Sequence, residues 1–338
     1  MSLLNFVNKE VIAIDNETLL KFLESCPDIH IFDSFIVTNN KLKSYKNIAC
    51  AVSGGSDSDI MLDICAKLDT TKKIRYVWFN TGLEYQATKN HLTYLEDKYG
   101  IKIEIIKAVK PIPIACKQYG QPFLSKKISD YIERLQNHGF KWEDKSFEAL
   151  LKEYPKCKAA LRWWCNEWGE NSRFNISRNK WLKEFMIANP PDFKISPKCC
   201  DYAKKKPIKN FLSENKTGLN LYGVRKSEGG VRSTAYKNCF TLNDNGVDEY
   251  RPIFWYLNET KQKYEKVYDI KHSNCYSEYG LTRTGCAGCP FGKDFEKELE
   301  IIEKYEPKLY KAVNKIFGDS YRYTRAFREY QRKRSSEL

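Results

Sequence analysis

No stretch of the 338-residue sequence approaches the roughly 18 consecutive apolar residues needed to span a membrane. Met1 to Glu10 shows no basic segment leading into an apolar one, so secretion is not expected and a cytoplasmic location is. There is no internal repeat, which sets aside solenoids, and no low-complexity tract, which sets aside long disordered linkers. A Gly-Lys-Ser or Gly-Lys-Thr is missing as well, so any phosphate-binding turn here is not of the Walker type. What remains is a chain longer than the usual single domain, 42% hydrophobic and 14% aromatic, with ample material for a core.

Charge and cysteine are present in excess. The net charge is +14, from 57 Lys and Arg against 43 Asp and Glu, which favours a polyanionic partner over a neutral one. The densest basic runs are Lys204 to Lys206 and Arg325 to Arg334. Twelve cysteines in a cytosolic protein read first as metal ligands, redox groups or buried small hydrophobes, because disulfides are disfavoured there. Cys26, Cys50, Cys65, Cys116, Cys157, Cys165 and Cys239 are scattered and suit buried packing. Cys199-Cys200, Cys275 and Cys286-Ala-Gly-Cys289-Pro290 are clustered.

Residues 1–44 read as a helical lead-in, with apolar positions at helical spacing over Glu17 to Ser25. Lys46 to Val52 is a β-type run, Ser56 to Leu68 a helix, and Ile74 to Phe79 a buried parallel strand. Thr88 to Tyr99 and Ile101 to Ile106 add a helix and a strand. This alternation predicts an α/β fold, a doubly wound parallel sheet whose nucleotide-binding core occupies 45–141. Residues 142–189, rich in tryptophan, read as a helical insertion. The α/β core resumes over 190–260, and 261–338 forms a cysteine-bearing loop followed by C-terminal helices.

The strand ending at Val52 runs directly into Ser53-Gly54-Gly55-Ser56-Asp57-Ser58 and then a helix. Two glycines let the backbone turn tightly and bring its N–H groups to an anion, and the helix N-terminus adds donors and partial positive charge. The serine hydroxyls add donors, whereas Asp57 would repel a phosphate and is expected to help place Mg2+ or to hold the loop. At these residues the chain resembles the PP-loop ATP pyrophosphatases, whose signature is Ser-Gly-Gly-x-Asp-Ser. The resemblance implies an adenine nucleotide alpha hydrolase-like fold, and ATP cleaved at its α-phosphate with pyrophosphate released.

Other segments are similar to the phosphoadenosine phosphosulfate reductase-like branch of that superfamily. Phe79-Asn80-Thr81-Gly82-Leu83-Glu84-Tyr85 matches its Asp-Thr-Gly-x-Glu, with asparagine for the aspartate. Tyr222 to Glu228, containing Arg225, with Arg232 nearby, matches its Gly-x-Arg-x-x-Glu. Two arginines after a strand suit the oxygens of phosphate or sulfate. Ser125-Lys126 is similar to a further nucleotide-side element, and serves equally well as a helix cap. The resemblance thus places Ser53 to Ser58, Thr81, Gly82, Glu84, Lys126 and Arg225 at the nucleotide, with Asp57, Arg225 and Arg232 in catalysis.

A Cys-x-x-Cys with an internal glycine and a following proline makes a turn that offers two thiolates to one metal centre. Four thiolates serve zinc as well, so the chemistry alone does not choose the metal. The set resembles the Cys-Cys…Cys-x-x-Cys of iron–sulfur adenylylsulfate reductases and the Cys-x10-Cys-x-x-Cys of the branch's DNA phosphorothioation enzyme, which implies a 4Fe-4S cluster. The expected ligands are Cys200, Cys275, Cys286 and Cys289, or Cys199 in place of Cys275. No cysteine follows Cys289, so the Glu-Cys-Gly-x-His nucleophile of the sulfonucleotide reductases is missing.

These features lead to an ATP-dependent iron–sulfur sulfurtransferase acting on a nucleic acid such as tRNA or DNA, supplied by a sulfur-donor protein. The alternatives are a reductase that borrows its nucleophile from a partner, and a nucleotide-binding regulatory module without catalysis.

Overall fold

The computed structural model describes residues 26, 28–229, 235–244 and 246–337. Arg232, part of the expected catalytic set, and the helical lead-in up to Ser25 lie outside the described residues. The chain forms two compact units: residues 1–77, 94–104 and 212–272 make the first, and 78–93, 105–211 and 273–338 the second.

A six-stranded sheet has the order β3-β2-β1-β4-β6-β5. Its strands are β1 (Ile48–Ala51), β2 (Ile74–Asn80), β3 (Ile103–Lys107), β4 (Leu219–Tyr222), β5 (Phe240–Thr241) and β6 (Asp248–Tyr250). β1 lies parallel to β2, with Ile48 opposite Ile74, and parallel to β4, with Ile48 opposite Leu219. β4 and β6 are also parallel, and β5 closes the edge antiparallel to β6. The fold class is therefore the expected α/β with a mostly parallel sheet, plus one antiparallel edge strand. Successive strands step outward from β1 to β3, then the chain returns to place β4 on β1's other side. That reversal makes the carboxyl ends of β1 and β4 a topological switch point, where open α/β sheets bind ligands.

β1 is fully apolar and buried over its first three residues, as a central parallel strand requires. β2 departs from a wholly buried strand at Arg75, which is exposed and forks onto Glu104 at 2.6 and 2.7 Å, and at its half-buried end, Phe79 and Asn80. In the first unit the helix Ile29–Ser44, capped by Asp28, packs on the helix Ser56–Leu68.

The second unit holds two apolar cores. One gathers Phe123, Tyr131, Phe140, Leu161, Phe185 and Phe327 around Trp142, Trp163 and Trp164. These three indoles are at most 8% exposed, and Trp164 donates its N–H to the Glu143 carbonyl at 2.9 Å. They are packing residues, and stacking on unpaired bases is closed to them. The other core carries Leu83, Tyr85, Cys116, Cys199, Cys275, Phe295 and Phe317. No helix among the described residues is long and apolar enough to cross a membrane.

Candidate functional site

In the first unit, β1 delivers the glycine turn to the switch point. Val52 still donates to the Val77 carbonyl at 2.8 Å, after which the chain leaves the sheet. Gly54 takes φ +67°, the left-handed region that favours glycine. Gly55 is the N-cap of Ser56–Leu68 and contributes no capping side chain to the start of the helix, the end that carries partial positive charge. Inside the loop, the Ser53 N–H donates to Ser58 Oγ at 2.9 Å and the Gly55 N–H to Ser53 Oγ at 3.3 Å. Serines that looked like phosphate ligands from sequence thus also hold the loop's shape.

Two cations converge on Asp57. Arg225 Nε donates to both of its carboxylate oxygens, at 2.9 and 3.0 Å, and Lys261 Nζ donates to Oδ1 at 2.8 Å and to Ser56 Oγ at 2.6 Å. Arg225 is buried, and its Nη1 is fixed by Ser227 Oγ at 3.0 Å and Asn258 Oδ1 at 2.9 Å. Burial alone would raise the Asp57 pKa; hydrogen bonding with Glu228 and the charges of Lys261 and Arg225 outweigh it and hold the carboxyl below its ordinary range. Gly223, just past β4, lets the two strand ends close: a Cβ there would lie 2.7 Å from the Asp57 carbonyl oxygen and 2.9 Å from Ser58 Cα. Gly223 is the glycine of the Gly-x-Arg-x-x-Glu match, whereas Lys261 and Asn258 were not singled out from the sequence. Lys261 and Asn258 do share one face of the helix Asn258–Val267, three positions apart.

A further charge chain supports the loop helix. His272 Nδ1 meets Asp59 Oδ2 and its Nε2 meets Glu265 Oε1, each at 2.8 Å, while Lys261 lies 3.7 Å from Glu265. Burial works against protonation, yet the hydrogen bonds and charges of Asp59 and Glu265 prevail and lift His272 to about 9. The imidazolium donates to both carboxylates. Because the folded pKa exceeds the ordinary 6.5, its stabilisation is fully present below pH 6.5 and is lost as pH rises through 9. Wild-type protein should therefore lose up to about 3 kcal/mol of stability between those pH values. The His272→Gln variant should lose much less, as thermal melts across the range will show; parallel losses in the two proteins would refute the assignment.

In the second unit, the Asn80 to Glu84 turn is closed on itself. Thr81 donates its N–H and its hydroxyl to Glu84 Oε1 at 3.2 and 2.6 Å, and the Gly82 N–H donates to Asn80 Oδ1 at 2.8 Å. The asparagine that replaces the expected aspartate keeps the acceptor that this turn needs. Gly82 has φ +81°, and a Cβ there would lie 2.7 Å from Pro111 Cβ. Lys126 is exposed, one residue after Ser125, which caps the helix Lys126–Asn137 by accepting from the Ile128 N–H at 3.3 Å. The capping reading of Ser125 is the one the geometry displays.

The same unit holds all five clustered cysteines. Cys199 is hydrogen-bonded to Cys116 and Cys200, and its thiol is pushed up first by the Cys116 contact. The Cys200 thiol is raised by its hydrogen bond with Cys199 and by burial, against the charges of Lys126 and Lys204. Burial raises Cys286, opposed by Lys204, and pushes Cys289 up to about 12, with Cys286 and Cys200 adding to it. Their turn is anchored by Ala287 N–H to Leu83 O at 3.1 Å and Gly288 N–H to Glu298 Oε1 at 3.0 Å. Cys275 is placed differently, 3.6 Å from Thr88 Oγ1, with its N–H on Ser273 Oγ. Cys116, read from sequence as a scattered packing residue, is buried in this core and is also a neighbour of Cys199.

Among the described residues, no three His, Cys, Asp or Glu side chains close up into a metal cage. The donor chemistry of Cys199, Cys200, Cys286 and Cys289 nonetheless fits a thiolate-bound group. The four are soft ligands that act on one another, and the half-buried Lys204 ammonium stands by to offset thiolate charge. The residues immediately after the twin cysteines, Asp201–Lys205, form a single wide π-helical turn, a feature common at functional sites.

Residues 47–160 match the family described as phosphoadenosine phosphosulfate reductase domain. The chain is 24% identical over 296 residues to an uncharacterized protein of Methanocaldococcus jannaschii, a match covering 84% of this chain and 44% of that protein. It thus spans less than half the length of this curated relative. A phosphoadenylyl-sulfate reductase from Candida auris, solved with phosphate, aligns at 11% identity over 81% of this chain and 97% of its own, with a TM-score of 0.43. A U34-tRNA thiolase from Methanococcus maripaludis, solved with its [4Fe-4S] cluster, aligns at 13% identity over 87% and 79%, with a TM-score of 0.35.

Proposed function

We propose that this protein is a PP-loop enzyme that cleaves ATP between its α- and β-phosphates and transfers sulfur to the adenylylated acceptor, a nucleic-acid base. The observation that carries the reading is the meeting of the Ser53 to Ser58 turn with Arg225 and Lys261 at the switch point between β1 and β4. The match of residues 47–160 to the phosphoadenosine phosphosulfate reductase domain supports it.

In this reading the Gly54 to Ser58 N–H groups and hydroxyls hold the pyrophosphate end of the nucleotide. An acceptor oxygen attacks the α-phosphorus, the bond to the bridging oxygen breaks, and its electron pair leaves with pyrophosphate. Arg225 and Lys261 stabilise the charge that builds on the departing group, the largest kind of contribution a preorganised site makes. A hydrosulfide-level sulfur then displaces AMP from the acceptor carbon. Asp57 serves as the anchor that aims the two cations, and no step is assigned to magnesium. Cys199, Cys200, Cys286 and Cys289 would hold an iron–sulfur group, which supplies a site to bind and deliver sulfide. Arg232 remains a proposed second anion ligand.

The test is pyrophosphate and AMP release from ATP, alone and with tRNA or DNA added, followed by nucleoside mass spectrometry. Release stimulated by a nucleic acid that gains sulfur is expected. ATP held by the folded protein without turnover under any of these conditions would instead make it a binding module.

A further inference from the structure

The C-terminal helix Pro307–Ser336 carries Arg325, Arg328 and Arg332 at spacings of three and four, so all three lie along one face. Together with Lys180, Trp181 and Glu296 they line a groove of about 940 Å³ within the second unit. Four cations face one carboxylate there. Arg328 is held by Glu296 and by the Lys293 carbonyl at 2.6 Å, over the Phe295 ring at 4.9 Å, and Arg325 approaches Glu296 only at 3.9 Å. Arg332 and Lys180 are exposed.

Trp181 gives the groove its second character. Its φ of +69° is left-handed, a sparsely populated conformation for a bulky residue that persists only where its surroundings enforce it. Lys180 and Arg334 flank the indole at 5.2 and 5.5 Å, and its N–H has no hydrogen-bond partner among the described residues. Unlike the buried Trp142, Trp163 and Trp164, this indole is only half-buried, and it lines the groove.

We infer that this groove docks an unpaired stretch of nucleic acid, its phosphates running along Arg325, Arg328 and Arg332 and a base against Trp181. Seven residues of helix separate the outer arginines, a rise of about 10 Å, so the charges form a line and not a point. A line of cations beside an aromatic face matches a single strand, which offers successive phosphates and unstacked bases together. The inference rests on the proposed nucleic-acid acceptor and names where that acceptor is gripped.

The experiment measures anisotropy of labelled 12-nucleotide RNA and DNA, single-stranded and duplex, against the full chain at several salt concentrations. ATP calorimetry is run on the same samples. Single strands should bind, with log affinity falling linearly in log salt. The double variant Arg325→Ala, Arg332→Ala should bind at least tenfold more weakly and lose about two units of salt slope. Trp181→Ala should weaken single-strand binding roughly 5- to 150-fold, and Trp181→Phe should restore most of it. A preference for RNA or for DNA names the source of the strand, and either supports the groove. Wild-type affinity and slope in a double variant whose thermal melt is unchanged would overturn the inference, as would tighter binding of the duplex. Loss of oligonucleotide binding with ATP binding intact isolates the groove. Oligonucleotide binding by a protein that does not bind ATP leaves the groove standing and removes the nucleotide reading.

Discussion

Arg225→Ala should abolish pyrophosphate release and weaken ATP binding by at least a hundredfold. The side chain is buried, fixed by Ser227 and Asn258, and aimed at Asp57 beside the glycine turn. A charged hydrogen bond is worth about 1.5–3 kcal/mol, and a guanidinium directed at phosphate makes two. The combined loss corresponds to roughly 10²- to 10⁴-fold in affinity. Asp57 would then keep Lys261 as its cationic partner, so the variant should also melt earlier, because breaking one side of a buried ion pair costs about 3–5 kcal/mol. Arg225→Lys keeps charge without the fork and should fall between the two. Calorimetry with ATP and a thermal melt separate the effects: a destabilised variant that still binds ATP at wild-type strength would take Arg225 out of the site.

The cysteines divide into two groups with opposite expected outcomes. Anaerobically purified protein should be brown and contain iron and sulfide. Cys286→Ser and Cys289→Ser should each lose the colour and nearly all the iron, since four-thiolate sites rarely tolerate a missing ligand. Cys275→Ser should keep both, because its thiol is engaged with Thr88 and its backbone with Ser273. A colourless wild-type protein holding stoichiometric zinc would reassign the thiols to a structural site. Iron lost from Cys275→Ser but retained in Cys200→Ser would return the ligand set to the one that includes Cys275.

How much of this was readable in advance depends on how local each feature is. The glycine turn was legible as a turn because a strand, two glycines and a helix follow one another, and each needs only its neighbours. The helix Ser56–Leu68 begins and ends where its apolar spacing predicted. The cations that complete the turn were harder. Arg225 and Lys261 stand 168 and 204 residues from Asp57 in the chain, a separation over which periodicity carries no information. Arg225 was found only because a resemblance pointed to it, and Lys261 had none. β5 and β6 have two and three residues, too few for an alternation to register. The closeness of Cys116 to Cys199 escaped for the opposite reason: a single cysteine in an apolar helix looks like packing alone until the fold sets Cys199 beside it.

The Asp57 carboxylate has one more consequence. It rests where Arg225 and Lys261 converge. Under the proposed function, an incoming phosphate would share these cations with a resident rival, which would set a ceiling on how tightly a nucleotide could be held. The same rivalry would help afterwards: with the anhydride broken, Asp57 would already be in place to reclaim Arg225 and Lys261 and to ease pyrophosphate out. In that reading, affinity is traded for turnover within a single ion-pair triad.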